Sequence, residues 1–117
     1  MTSLSPPTPT LSTHVLDTTH GCPAAGVALR LIAANGQRLF AGTTNEDGRC
    51  PTLPPLKPGR YHIEFSVADY FRGLGIELPD PPFLDIVAIN FGIAEGGGHY
   101  HVPLIVSPYG YSTYRGS

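Results

Sequence analysis

The sequence predicts an all-β chain, a sandwich of about seven short strands with one short helical segment. Three observations carry this. Apolar and polar residues alternate over several stretches, the period of a strand with one buried face. Turn-forming residues interrupt those stretches at frequent intervals. Helical patterning is confined to Ala68–Leu74, which is too short to hold without packing on a sheet.

The elements follow in order. Met1–Thr10, rich in Pro, Ser and Thr, is expected to be a disordered tail, leaving 11–117 as the folded domain. Leu11–Leu16 is a first strand and carries His14. Val27–Ile32 is a second, with Val27, Leu29 and Leu31 opposite Arg30. Asn35-Gly36 favours a tight hairpin into Arg38–Thr43. Asn45-Glu46-Asp47-Gly48 is turn chemistry, and Pro51–Gly59, with four prolines, cannot stay regular for long.

Tyr61–Val67 is the clearest strand. Tyr61, Ile63, Phe65 and Val67 share one face, and His62, Glu64 and Ser66 the other. The helical Ala68–Leu74 is expected to pack through Tyr70, Phe71 and Leu74. Phe83–Phe91 and Tyr100–Val106 are further strands, separated by a flexible Glu95-Gly96-Gly97-Gly98 loop. Pro103 predicts an edge position or a bulge in its strand. Tyr111–Ser117 is a final strand with Tyr114 and Gly116 on one face and Arg115 on the other.

Charged residues are only 14% of the chain, against roughly 25% in soluble domains. So little charge leaves much uncharged surface to cover, which points to subunit association. The net charge is −2 and no basic block is present, which argues against nucleic acid. No run of 18 apolar residues exists to span a membrane. Met1–Thr10 lacks the charged and apolar regions of a secretory signal, so a cytoplasmic protein is expected. Cys22 and Cys50 do not form a C-x-x-C pair; they read as buried or semi-buried thiols in a reducing compartment. Nothing around Cys22 marks it as a nucleophile.

Five histidines are a rich supply of proton carriers. His99 and His101 stand two apart and so project from one face of a strand. With His14 they form a conceivable metal set, but the spacing alone is weak and no metal is expected. A neutral histidine can take a proton from attacking water, and a second can protonate a leaving nitrogen. Arg49, just past the Asn45–Gly48 turn, can reach into a cleft and bind a carbonyl or an anionic heterocycle through its planar fork. These residue types suit hydrolysis of a cyclic amide, although composition alone does not bring them together.

Three separated motifs carry a resemblance. The first is Leu11-Ser12-Thr13-His14-Val15-Leu16-Asp17, continued by Gly21-Cys22-Pro23-Ala24. The second is Asn45-Glu46-Asp47-Gly48-Arg49. The third fills the last 19 residues, from His99-Tyr100-His101-Val102-Pro103 through Ser107-Pro108-Tyr109-Gly110-Tyr111-Ser112-Thr113 to Tyr114-Arg115-Gly116-Ser117. In this order the chain resembles the transthyretin-related proteins, and within them the 5-hydroxyisourate hydrolases, over all but its first ten residues.

The resemblance implies a transthyretin-like two-sheet β-sandwich of about eight strands with one short helix. It implies a homotetramer, a dimer of dimers, with active sites at the subunit interface. The implied substrate is 5-hydroxyisourate, a product of urate oxidation, and the product is 2-oxo-4-hydroxy-4-carboxy-5-ureidoimidazoline. His14, Arg49, His101 and Ser117 are the implied catalytic residues. His14, Arg49 and Tyr114 would bind substrate, with Arg115, Gly116 and His99 in support. No cofactor is implied. The hormone carrier transthyretin shares the fold but lacks the histidine set and the Tyr-Arg-Gly-Ser ending. A carrier, a metal-binding module and a plain interaction domain are the competing readings.

Overall fold

A computed structural model of the chain describes residues 8–116, which form two four-stranded sheets and one helix. The strands are β1 (Thr10–Asp17), β2 (Cys22–Pro23), β3 (Ala28–Ala33), β4 (Arg38–Thr43), β5 (Gly59–Ser66), β6 (Ile86–Ile93), β7 (His99–Ser107) and β8 (Gly110–Ser112). The helix α1 (Val67–Gly73) follows β5 directly. One sheet has the order β2-β1-β7-β8 and the other β4-β3-β5-β6.

Alternation places the core between the sheets. Leu11, Val15, Tyr100, Val102, Leu104 and Val106 point inward from β1 and β7. They meet Leu29, Leu31, Ile63, Phe65, Val87 and Ile89 from the other sheet. Full burial of such a side chain contributes about 1.5–3 kcal/mol. Val15, Leu31, Ile63, Phe65 and Leu104 are wholly buried, which leaves the outward faces for polar chemistry.

Several elements differ from expectation, each for a local reason. Val67 leaves the Tyr61–Phe65 face and starts α1, because its N–H and that of Ala68 both turn back to the Asp85 carbonyl. Tyr70 and Phe71 pack into the core as expected, but Leu74 is 51% exposed because the helix stops before it. β6 begins at Ile86 rather than Phe83. Pro79, Pro81 and Pro82 withhold ladder donors from the preceding stretch, and Phe83 is left exposed. Cys22 is exposed on the two-residue β2, while Cys50 is buried; both thiols are free.

Pro103 is neither at a sheet edge nor in a bulge. β7 lies between β1 and β8, and its pairing with β1 runs unbroken from Thr10↔His99 to Asp17↔Val106. The Pro103 carbonyl accepts from the Thr113 hydroxyl at 2.7 Å, so residue 103 turns its backbone towards the C-terminal segment. β8 pairs only with Ile105–Ser107, so no ladder bond is lost at the proline nitrogen. Among the described residues, the expected final strand Tyr111–Ser117 is represented by Gly110–Ser112 and an isolated bridge between His101 and Gly116.

One polar group crosses the core. The Asp17 side chain is fully buried, accepts from the Tyr70 hydroxyl at 2.7 Å and holds His20 Nδ1 at 2.5 Å. Burial pushes this carboxyl up, but the hydrogen bonds from His20 and Tyr70 outweigh it and hold it below the usual range. The same burial, with Asp17 alongside, raises the Tyr70 phenol. Asp17 thereby ties β1 to α1.

Candidate active site

The outer face of the β2-β1-β7-β8 sheet gathers the histidines. Along β1 the buried residues alternate with half-buried Ser12, His14 and Leu16, which therefore point outward. Along β7, Tyr100 and Val102 point inward, leaving His99 and His101 outward. β1 and β7 pair in parallel, with Thr10 opposite His99, Ser12 opposite His101 and His14 opposite Pro103. His14 and His101 thus lie diagonally across neighbouring strands on one face.

Arg49 is delivered by the Asn45–Gly48 turn. The Asn45 side-chain oxygen accepts from the N–H groups of Asp47 and Arg49, at 2.9 and 3.0 Å. The Asn45 N–H returns to the Arg49 carbonyl at 2.8 Å. Gly48 is needed for two reasons. Its φ is +73°, and a Cβ there would sit 2.4 Å from the Val15 carbonyl. That close approach lets the Gly48 carbonyl take the Val15 N–H at 2.8 Å and forms an antiparallel bridge between His14 and Arg49.

His101 is the electrostatic centre of the face. Burial above all, then the Arg49 cation and the neighbouring His14 and His99, hold its imidazole below the usual 6.5. It is therefore neutral at physiological pH, with a lone pair available to accept a proton. Arg49 is exposed and remains charged. The arrangement offers two imidazoles and a cation beside one another, which suits water activation next to a polarised carbonyl.

The C-terminal segment divides. Gly116 donates its N–H to the His101 carbonyl at 2.8 Å, and a Cβ on Gly116 would lie 2.4 Å from His101 Cδ2. Only glycine lets the backbone come so close to the ring. Arg115 lies over the Tyr100 ring at 4.1 Å and donates to the carbonyls of Gly97 and His99, at 3.4 and 3.3 Å. It ties down the loop leading into β7. Tyr114 is 58% exposed and, with Arg115, lines a hollow of about 230 Å³ beside Ile89, Phe91 and Tyr100. None of His14, Arg49 and His101 lines that hollow. Ser117 lies outside the described residues.

Sequence reasoning missed two residues here. Ser12 Oγ stands 2.8 Å from His99 Nε2 and 2.7 Å from His101 Nδ1, and Thr10 Oγ1 stands 2.6 Å from His99 Nδ1. Strand alternation already put Ser12 on His14's face; the β1–β7 register that brings it to His101 left no local signal. Hydroxyls thus occupy both nitrogens of His99. Among the described residues no three His, Cys, Asp or Glu side chains are grouped to hold a metal ion.

The fold and this face together define a transthyretin-like sandwich with a histidine–arginine site on one sheet. A family model described as the HIUase/Transthyretin family matches residues 11–116, and the chain belongs to that family. It is 53% identical over 114 residues to the 5-hydroxyisourate hydrolase of Pseudomonas aeruginosa, covering 92% of this chain and 90% of that one. Among solved structures, Klebsiella pneumoniae 5-hydroxyisourate hydrolase superposes with a TM-score of 0.81 at 39% identity, covering 92% of this chain and 99% of that one. Sea bream transthyretin, solved in complex with thyroxine, also superposes at 0.81, with 29% identity and 91% and 93% coverage. The backbone therefore does not separate enzyme from carrier, and the side chains of the site must.

Proposed function

We propose that this chain is a cytoplasmic enzyme of urate breakdown that hydrolyses 5-hydroxyisourate to 2-oxo-4-hydroxy-4-carboxy-5-ureidoimidazoline. The observation that carries this is the convergence of His14, Arg49 and His101 on one sheet face, with His101 kept neutral. A carrier has no use for an uncharged base beside a cation that no carboxylate among the described residues bonds. The names of the relatives that share most of this chain agree with the reading.

In this mechanism His101 takes a proton from water as the water attacks a ring carbonyl. His14, diagonal to it, positions the water and supplies the proton needed by the departing ring nitrogen. Arg49 binds the substrate's oxygens and stabilises the charge that develops on the attacked carbonyl. Gly116 and Arg115 hold His101's strand and the loop before it. Ser117 is assigned the orienting role that the resemblance gives it.

Tyr114 points to the assembly. Within one chain it lines a hollow apart from the histidine face. The proposal therefore gives its substrate contact to the site of a neighbouring subunit, in a homotetramer with sites at the subunit interface. The low charge of the chain favours such an assembly.

Freshly generated 5-hydroxyisourate, followed by its ultraviolet absorbance against spontaneous decay, tests the reading. Single changes of His14, Arg49 and His101 to Ala are each expected to cost about a hundredfold or more in kcat/KM. Wild-type rates in all three variants would refute it.

A further inference from the structure

We propose that Ser12 and His99 form a proton relay behind His101, carrying the proton taken from water to the solvent-facing rim of the site. This rests on the hydrolase reading above and assigns Ser12 as a positioning residue that acts through His101. The geometry is an unbroken file of four side chains. Thr10 Oγ1 is 2.6 Å from His99 Nδ1, His99 Nε2 is 2.8 Å from Ser12 Oγ, and Ser12 Oγ is 2.7 Å from His101 Nδ1. Every contact is short enough for proton transfer.

A hydroxyl has one proton to give, and a neutral imidazole has one N–H and one bare nitrogen. The file therefore has two self-consistent polarities. In the first, His101 Nδ1–H donates to Ser12, Ser12 donates to His99 Nε2, and His99 Nδ1–H donates to Thr10. His101 then presents a bare Nε2, the form a base needs. In the second, every donor reverses, and His101 presents Nε2–H.

The relay step links the two. Water gives its proton to His101 Nε2 as its oxygen bonds to the carbonyl. His101 releases its Nδ1 proton to Ser12 Oγ, and Ser12 passes its own hydroxyl proton to His99 Nε2. His101 ends neutral with its proton on Nε2, Ser12 is a hydroxyl again, and His99 carries the positive charge. No atom or charge is unaccounted for.

The surroundings favour this direction. His101 is half-buried and faces Arg49 and His14, so a positive charge there is repelled and poorly solvated. His99 is exposed, where water solvates the charge. Reversal of the file afterwards restores the base.

Ser12→Ala breaks the file, and Ser12→Thr keeps a hydroxyl on a strand-favouring residue. Steady-state kinetics on the full chain are expected to show kcat of S12A reduced about tenfold to a hundredfold, with KM nearly unchanged. Ser12→Thr restores most of that loss. In mixtures of light and heavy water, the wild-type rate follows a curve, because several protons move, and S12A follows a straight line. His99→Gln should match S12A, and the double variant should be no slower than either. Wild-type kcat in S12A, no rescue by Thr, or losses that multiply in the double variant would each overturn the relay. Should the wild-type chain itself fail to open the ring, the hydrolase reading falls instead. The relay is then judged by the ¹⁵N shifts of His99 and His101, which must change tautomer balance in S12A; identical shifts in wild type and S12A would overturn it.

Discussion

Each sheet turns a histidine outward from a central strand, yet the two faces treat it in opposite ways. On β5, His62 Nε2 lies 3.1 Å from Glu64 Oε2, and Glu64 Oε1 accepts from Arg30 Nε at 3.0 Å. These three side chains are between 27% and 31% exposed, and they satisfy one another. The Arg30 guanidinium holds the Glu64 carboxyl below its usual range. On β7, His101 has hydroxyl, imidazole and guanidinium neighbours, and no carboxylate among the described residues bonds to it, to His14 or to Arg49. A compensated charge cluster stabilises a surface. One with no carboxylate bonded to it is left to interact with something else, in the proposed function an electron-rich heterocycle and a water.

The largest expected effect comes from making the second face resemble the first. Arg49→Glu removes the cation and sets a carboxylate against the His14–His101 pair. Activity should fall about a thousandfold, and an NMR titration should find the His101 imidazole raised above its wild-type value. In the wild type the sign is the reverse. Its depressed imidazole keeps the base unprotonated, so the acid limb of the rate should lie below the usual histidine value of about 6.5. A wild-type limb above that value would contradict the comparison.

A smaller effect is expected from Gly116→Ala. The new Cβ has no room beside the His101 ring, so the ring or the C-terminal segment must shift. A displacement approaching 1 Å can cost about a hundredfold; a partial shift should cost about tenfold in kcat, read in the ring-opening assay, with little change in the melting temperature.

The smallest is on the opposite face. Glu64→Gln should leave turnover unchanged and cost no more than about 1 kcal/mol of stability, measured by denaturant unfolding. The sign follows from the depressed carboxyl: its contribution is present at neutral pH and is lost as acid protonates Glu64. A clear loss of activity in this variant would end the distinction between the two faces.

Much of this molecule was legible residue by residue. Alternation along Tyr61–Phe65 and along Leu11–Leu16 identified β5 and β1, and Asn35-Gly36 marked the hairpin between β3 and β4. Asn45 and Gly48 announced the turn that presents Arg49. The strand period also put His99 and His101 on a common face. Such signals are local, because side-chain direction and turn geometry are set by a few neighbouring dihedrals.

Local signals misled where the outcome depended on contacts elsewhere. Val67 continued the alternation but was drawn into the helix by the Asp85 carbonyl. Pro103 read as an edge residue, although the short β8 spares its nitrogen inside the sheet.

The sequence by itself determined which residues face outward, where Arg49 is presented and, through its ordered motifs, which family the chain resembles. Only the tertiary structure decided what those outward residues meet. Ser12 and His101 are 89 positions apart, and nothing between them encodes their register. That register is set by the parallel pairing of the first and seventh strands, which is fixed by how Leu11, Val15, Tyr100, Val102 and Leu104 bury their side chains against the opposite sheet. Slipping it by one residue would turn a strand's apolar set out of the core. The packing of the interior therefore places the hydroxyl beside the imidazole on the outside.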